Sequence, residues 1–172
     1  MIGLRRGSVE VVPHYPGWRD LFEEERRRLN ERMSELAFDI QHVGSTAVPG
    51  LAAKPIIDIA VAVASPDLIS QCRQPLLDLG YIDRGDAGSD GGYLFVKERV
   101  PDVRTHHLHL VTIDDPQWAN YLRFRDALRA DPSLRVAYAA LKLELQARFV
   151  LNRKAYTSAK NTFVRGVLAR TP

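Results

Sequence analysis

Apolar residues recur at helical spacing near the start of the chain. Trp18, Leu21, Phe22, Leu29, Met33 and Leu36 would share one face of a helix over residues 18–36. Glu23, Glu24 and Glu25 precede Arg26, Arg27 and Arg28 on that helix, a run that reads either as a solvated face laced with Glu–Arg pairs or as a phosphate or RNA patch. The glutamates lie toward the positive end of the helix dipole. Before the helix, residues 9–12 (Val-Glu-Val-Val) read as a β-like opening, followed by the turn-rich stretch 13–17. The period then changes to that of a strand over 38–43, and again over 56–63, the most β-branched part of the chain. Further strands are predicted at 93–97 and 103–112, a helix at 67–79, and a turn over the Asp- and Gly-rich segment 83–92.

After Asp115 the pattern is helical. Trp118, Tyr121, Leu122 and Leu128 mark one helix. Asp131 and Pro132 read as N-cap and first helical position of a second, which carries Leu134, Tyr138, Leu141, Leu145 and Phe149. A third carries Phe163, Val167 and Leu168. Strands early and helices late, without strict alternation, predict an α+β fold with a helical C-terminal part. No repeat or linker marks a boundary, so one domain over residues 1–172 is expected.

Composition narrows the function classes. The chain carries 24 Lys+Arg against 21 Asp+Glu, a net charge of +3 that by itself argues for no nucleic-acid partner. The sequence pI of about 9.2 still suits an anionic ligand. The single Cys rules out an internal disulfide framework and a multi-cysteine zinc site. No stretch approaches the ~20 apolar residues of a membrane-spanning helix, and the first six residues lack the apolar run of a secretory signal. A soluble, cytoplasmic protein with no membrane partner is the expectation; its oligomeric state is open.

The densest chemical signal runs from His42 to Ile59. A strand ending in Gly44 and Ser45, followed by Thr46 and a short helical turn, presents backbone N–H groups and a hydroxyl to an anion. The same pattern also makes an ordinary capped turn. On the next strand Asp58, Ala60 and Ala62 share one face, opposite Ile57, Ile59 and Val61. Asp58 then stands beside small residues, with room for a ligand or a closely packed helix, and in so apolar a strand needs a cation or an ion pair with Lys54 or an arginine. On the strand at 103–112, His107 and His109 share a face opposite Arg104. With Asp58 they would form a two-imidazole, one-carboxylate site suited to zinc, manganese or iron, and His42 is a further ligand or phosphate contact. Structural, hydrogen-bonded histidines are the alternative. Lys54, Arg104, Lys142, Lys160 and Arg165 are candidates to neutralise phosphate, although Lys142 and Lys160 read rather as solvated surface lysines. Tyr138/Lys142 and Tyr156/Lys160 match the Tyr-x-x-x-Lys spacing of short-chain dehydrogenases. Neither follows a Gly-x-Gly-x-x-Gly fingerprint, so the match to that class is coincidental.

The run from His42 to Ile59 resembles the signature of the GrpB family of the nucleotidyltransferase superfamily. Pro16-Gly17-Trp18 with Phe22-Glu23, Arg104 with His107-Leu108-His109, and Tyr156 with Lys160 and Phe163 resemble it too. Members of that family occur alone or fused behind dephospho-CoA kinase. The resemblance implies a mixed sheet flanked by helices, with Gly44 and Ser45 in a turn that holds phosphates of a nucleotide or CoA-like ligand; Thr46, Lys54, Arg104 and Lys160 are the candidates to join that phosphate site. It implies Asp58 as the first of two carboxylates on one strand, a third from a neighbouring strand, and a divalent cation that assists displacement of pyrophosphate. The second carboxylate position holds Ala60, which cannot bind metal. Three functions follow as expectations: nucleotidyl transfer with magnesium, manganese or zinc; a non-catalytic nucleotide-binding module; or a metal-dependent hydrolase using Asp58, His107 and His109.

Overall fold

The computed structural model describes residues 2–86, 92–150 and 152–170. Its elements, in chain order, are β1 (Leu4–Arg5), α1 (Trp18–Met33), β2 (Ala37–Val43), a 3₁₀ turn (Ser45–Ala47), β3 (Ile57–Val63), α2 (Pro66–Asp78), β4 (Tyr81–Asp86), β5 (Tyr93–Val100), β6 (Val103–Thr112), α3 (Pro116–Ala130), α4 (Pro132–Arg148) and α5 (Arg153–Leu168). The sheet runs β2-β3-β6-β5-β4, with β1 added beside β6. Only β3 and β6 pair in parallel; every other described pairing is antiparallel, so the sheet is mixed and the fold α+β.

The alternation of β3 decides how the layers stack. Ile57, Ile59, Val61 and Val63 join Leu108 and Leu110 of β6 and are covered by Trp18, Phe22 and Leu29 of α1 and Cys72 and Leu76 of α2. Ala60 and Ala62 face the other way, where Trp118 of α3 packs on them with Val43 and Val111. The small side chains therefore admit a helix, and α4 and α5 build outward from it. Asp131 accepts hydrogen bonds from the Ser133 and Leu134 amides, with Pro132 in the first turn, as the sequence predicts.

Several boundaries differ from the sequence reading. Residues 9–12 form no sheet strand: Val12 makes one bridge to Ala53, and Val9 packs on Leu145 and Tyr156 of the helical layer. The helix read as reaching residue 36 ends at Met33. The segment read as a turn from 83 begins as the edge strand β4, whose exposed polar residues hide its pairing with β5. Residues 87–91 of that predicted turn lie outside the described residues. The Glu/Arg run of α1 resolves into local pairs, Arg26–Glu23 at 2.6 Å and Arg28–Glu24 at 2.5 Å, while Glu25 is buried against Tyr81 and Lys97. No helix among the described residues is long and apolar enough to cross a membrane.

Candidate functional site

The chain leaves β2 at Val43, which the register sets opposite Asp58. Gly44 follows with φ 68° and ψ −169°, a conformation essentially reserved for glycine. A Cβ at this position would collide with an Asp58 carboxylate oxygen and lie 2.9 Å from the Asp58 Cβ. The bend and the strand carboxylate are therefore in direct apposition. Asp58 keeps about a third of its side-chain surface exposed, and its Oδ1 is 3.3 Å from Nδ1 of His107 on β6, its register partner. Burial pushes the Asp58 carboxyl up, but the hydrogen bond and charge of His107, with His109 and Lys160 nearby, outweigh it and hold it below the ordinary range.

Two helices close over the bend. The Lys142 ammonium of α4 donates to Ser45 Oγ at 3.1 Å and makes a short hydrogen bond to the Ala52 carbonyl; the residue is 2% exposed. Burial, reinforced by the positive Lys160 and opposed by Asp58, brings its pKa down to about 7. One turn earlier on α4, Tyr138 is buried and its hydroxyl also hydrogen-bonds Ser45, while burial raises its pKa. On α5, Tyr156 is buried with Lys54 Nζ 4.1 Å and Lys160 Nζ 5.6 Å from its ring centroid. Both Tyr/Lys pairs thus converge on the bend, because a spacing of four puts each pair on one helix face. Lys142 is no solvated surface lysine, contrary to the sequence reading. The Tyr-x-x-x-Lys spacing set aside there was the signal that could have found it, and with it Tyr138, which sequence reasoning missed; Tyr156 was noted there as part of the family resemblance.

The other candidates do not all join this cluster. His42 pairs with Ile59, on the sheet face opposite Asp58. Its ring stacks on Phe22, with centroids 4.6 Å apart, and its Nε2 is 3.0 Å from Thr46 Oγ1, which in turn donates to the Ile56 carbonyl. Thr46 is buried with its hydroxyl engaged by His42 and the Ile56 carbonyl. A register shift between Lys97 and Glu98 interrupts the alternation read for β6, so Arg104 lies opposite Glu98 with Nε 3.9 Å from its Oε1. His109 packs on the Tyr121 ring.

The ligand set read from Asp58, His107, His109 and His42 is corrected accordingly. Among the described residues, no group of three or more His, Cys, Asp or Glu side chains is arranged to hold a metal ion. His107 turns Nδ1 to Asp58, and its Nε2 is buried with no hydrogen-bond partner among the described residues. Ala60 is 0% exposed beneath Trp118, so a second carboxylate has neither a residue nor a space. One carboxylate engaged by an imidazole does not fit a two-metal centre.

Burial, together with Arg129 and Arg125 and against the pull of Asp58, brings His42 down to a pKa of about 4. Between that value and the unfolded value of 6.5, the unfolded chain takes up a proton that the folded chain refuses. Stability should therefore fall as pH drops through this window, by on the order of 2 kcal/mol from this group at pH 4.5. Urea unfolding of the wild type and His42→Gln at pH 7 and pH 4.5 checks it; equal acid losses in both would refute the assignment.

The mixed sheet with helices on both faces is a nucleotidyltransferase-like fold. The solved Cid1 poly(U) polymerase with MgGTP bound shares this fold: TM-score 0.54 and 17% identity, over 80% of this chain and 45% of that one. The chain belongs to the GrpB family, whose model, GrpB protein, matches residues 8–170. It is similar to the glutamate-rich protein GrpB of Alkalihalophilus pseudofirmus, 35% identical over 98% of both chains. It is also similar to the crystal structure of the conserved protein GrpB from Enterococcus faecalis, with TM-score 0.82 and 31% identity over 94% of this chain and 98% of that one.

Proposed function

We propose that the chain binds a nucleotide, or another small molecule carrying a polyphosphate, at the bend formed by Gly44 and Ser45, and that it acts there as a binding module. Lys142 and Lys160 supply positive charge, Ser45 a hydroxyl donor, and Lys54 a third cation over the Tyr156 ring. The observation that carries this reading is Lys142: a lysine 2% exposed, delivered to the Ser45 hydroxyl beside a glycine bend. Burying a lysine amine is costly, and an anionic ligand at the bend offsets that cost. The likeness in fold to a polymerase with MgGTP bound supports a nucleotide among polyphosphate ligands. Against transfer chemistry stands the donor set, with one carboxylate engaged by His107 and a buried alanine where the second would stand.

The test is equilibrium binding of labelled ATP and GTP with and without magnesium, manganese or zinc, read beside pyrophosphate release. Saturable binding with no pyrophosphate is the expected result. Release of pyrophosphate would replace the module by a transferase, and absence of binding under every condition would end the reading.

A further inference from the structure

On the opposite side of the 3₁₀ turn from Ser45 lies a cleft of about 750 Å³, within the range of small-molecule sites. Five arginines line it, Arg19 and Arg26 from α1, Arg125 and Arg129 from α3 and Arg135 from α4, against one carboxylate, Glu23. Two of the five charges are met locally: Arg26 pairs with Glu23 at 2.6 Å, and Arg125 with Asp126 at 2.8 Å. Of the other three, only Arg129 has a carboxylate, and it shares Asp126 with Arg125. Arg129 donates through Nε and Nη2 to the Ala47 carbonyl and lies 3.7 Å from the shared Asp126. Arg135 donates to the carbonyls of Leu128 and Arg129 at the end of α3. Neither Arg135 nor the exposed Arg19 is within 4 Å of a described carboxylate.

Carbonyl acceptors orient a guanidinium without cancelling its charge. Five guanidiniums set against Glu23 and the shared Asp126 leave the concave wall with a net positive potential that focuses anions. Burial chiefly, with Arg125 and Arg19 adding and Asp126 opposing, pushes Arg129 below its ordinary value. We propose that this cleft is a second ligand site, taking a small molecule that carries two or more phosphate groups, bound by Arg19, Arg129 and Arg135. A guanidinium held in a plane by carbonyls suits the bidentate geometry of phosphate oxygens. Arg129 bonds the Ala47 carbonyl and Arg125 the His42 carbonyl, so the same three-residue turn backs this cleft and carries Ser45 on its other side. The site stands on its own residues and does not require the bend to bind anything.

Isothermal titration with inorganic triphosphate tests it on the full chain, using Arg19→Gln, Arg129→Gln and Lys142→Met. Arg19 is exposed, and among the described residues its side chain makes no hydrogen bond or ion pair, so its variant separates binding from stability. Two triphosphates per chain are expected, one weakened about tenfold by either arginine variant and indifferent to Lys142→Met, the other the reverse. Triphosphate binding unchanged in both arginine variants would overturn the cleft while leaving the bend intact. Loss in the arginine variants with no effect of Lys142→Met would uphold the cleft and sink the bend. Displacement of triphosphate by ATP assigns a nucleotide and lack of displacement a free polyphosphate, both upholding the phosphate chemistry. Arginine variants that lose only binding of an RNA oligonucleotide would overturn the small-molecule assignment.

Discussion

Lys142→Met is expected to weaken nucleotide binding at the bend about a hundredfold, the loss of one buried charge-assisted contact to phosphate with its supporting geometry. The same variant should fold, because methionine fills a similar volume and removes an amine that burial already disfavours in its charged form. The pH dependence carries the sign. With the folded pKa near 7 and the unfolded value at 10.5, the unfolded chain holds a proton that the folded chain sheds in between. Wild-type stability should therefore rise with pH across that window, by up to about 1.4 kcal/mol per unit from this group, and the rise should vanish in Lys142→Met. Affinity for an anion moves the opposite way, falling as pH climbs above 7 and the ammonium is lost. Asp58 and Lys160, whose charges act on the amine, and Tyr138, whose ring centroid lies 4.7 Å from it, remain in both proteins. Equal affinity in the two proteins across pH 6 to 9 would remove Lys142 from the site.

Gly44→Ala should be a strongly destabilising single methyl. The new Cβ meets the Asp58 side chain and must adopt a backbone conformation that L-residues rarely take. Together these should cost about 3 kcal/mol, or roughly 10 °C of melting temperature for a chain this size. Because part of the cost is a collision with one side chain, the double variant with Asp58→Ala should recover some of it, the backbone strain remaining. Calorimetry on the two variants and the wild type measures both terms. Wild-type stability in Gly44→Ala would mean that the bend does not approach the strand as described.

What could be read in the sequence followed periodicity and local chemistry. The helices after Asp115 and their Asp-Pro start were legible because caps and apolar spacing act within a few residues. The apposition of Gly44 and Asp58 was legible because one short connection joins the two strands that carry them. β4 was hidden, since an edge strand pairs on one side and leaves its polar residues in water. Strand alternation set His42 and Asp58 on different faces only once the register was known, and the interrupted alternation near Arg104 is a tertiary event. Lys142 was hardest: lysine is rarely buried, and nothing local says that a helix 97 residues away will lay it on Ser45.

That separation has a consequence for the order in which the molecule comes into being. The bend, its carboxylate and the histidine beside it are all made once β6 has been translated, and the sheet can assemble around them. Lys54 is made with the sheet, but Lys142 and Lys160 arrive only with α4 and α5, so the proposed site is incomplete on a ribosome carrying a finished sheet. A ligand bound there as proposed would reward only the chain that has brought both halves together, and its binding energy would act as a late proof that folding has reached its end.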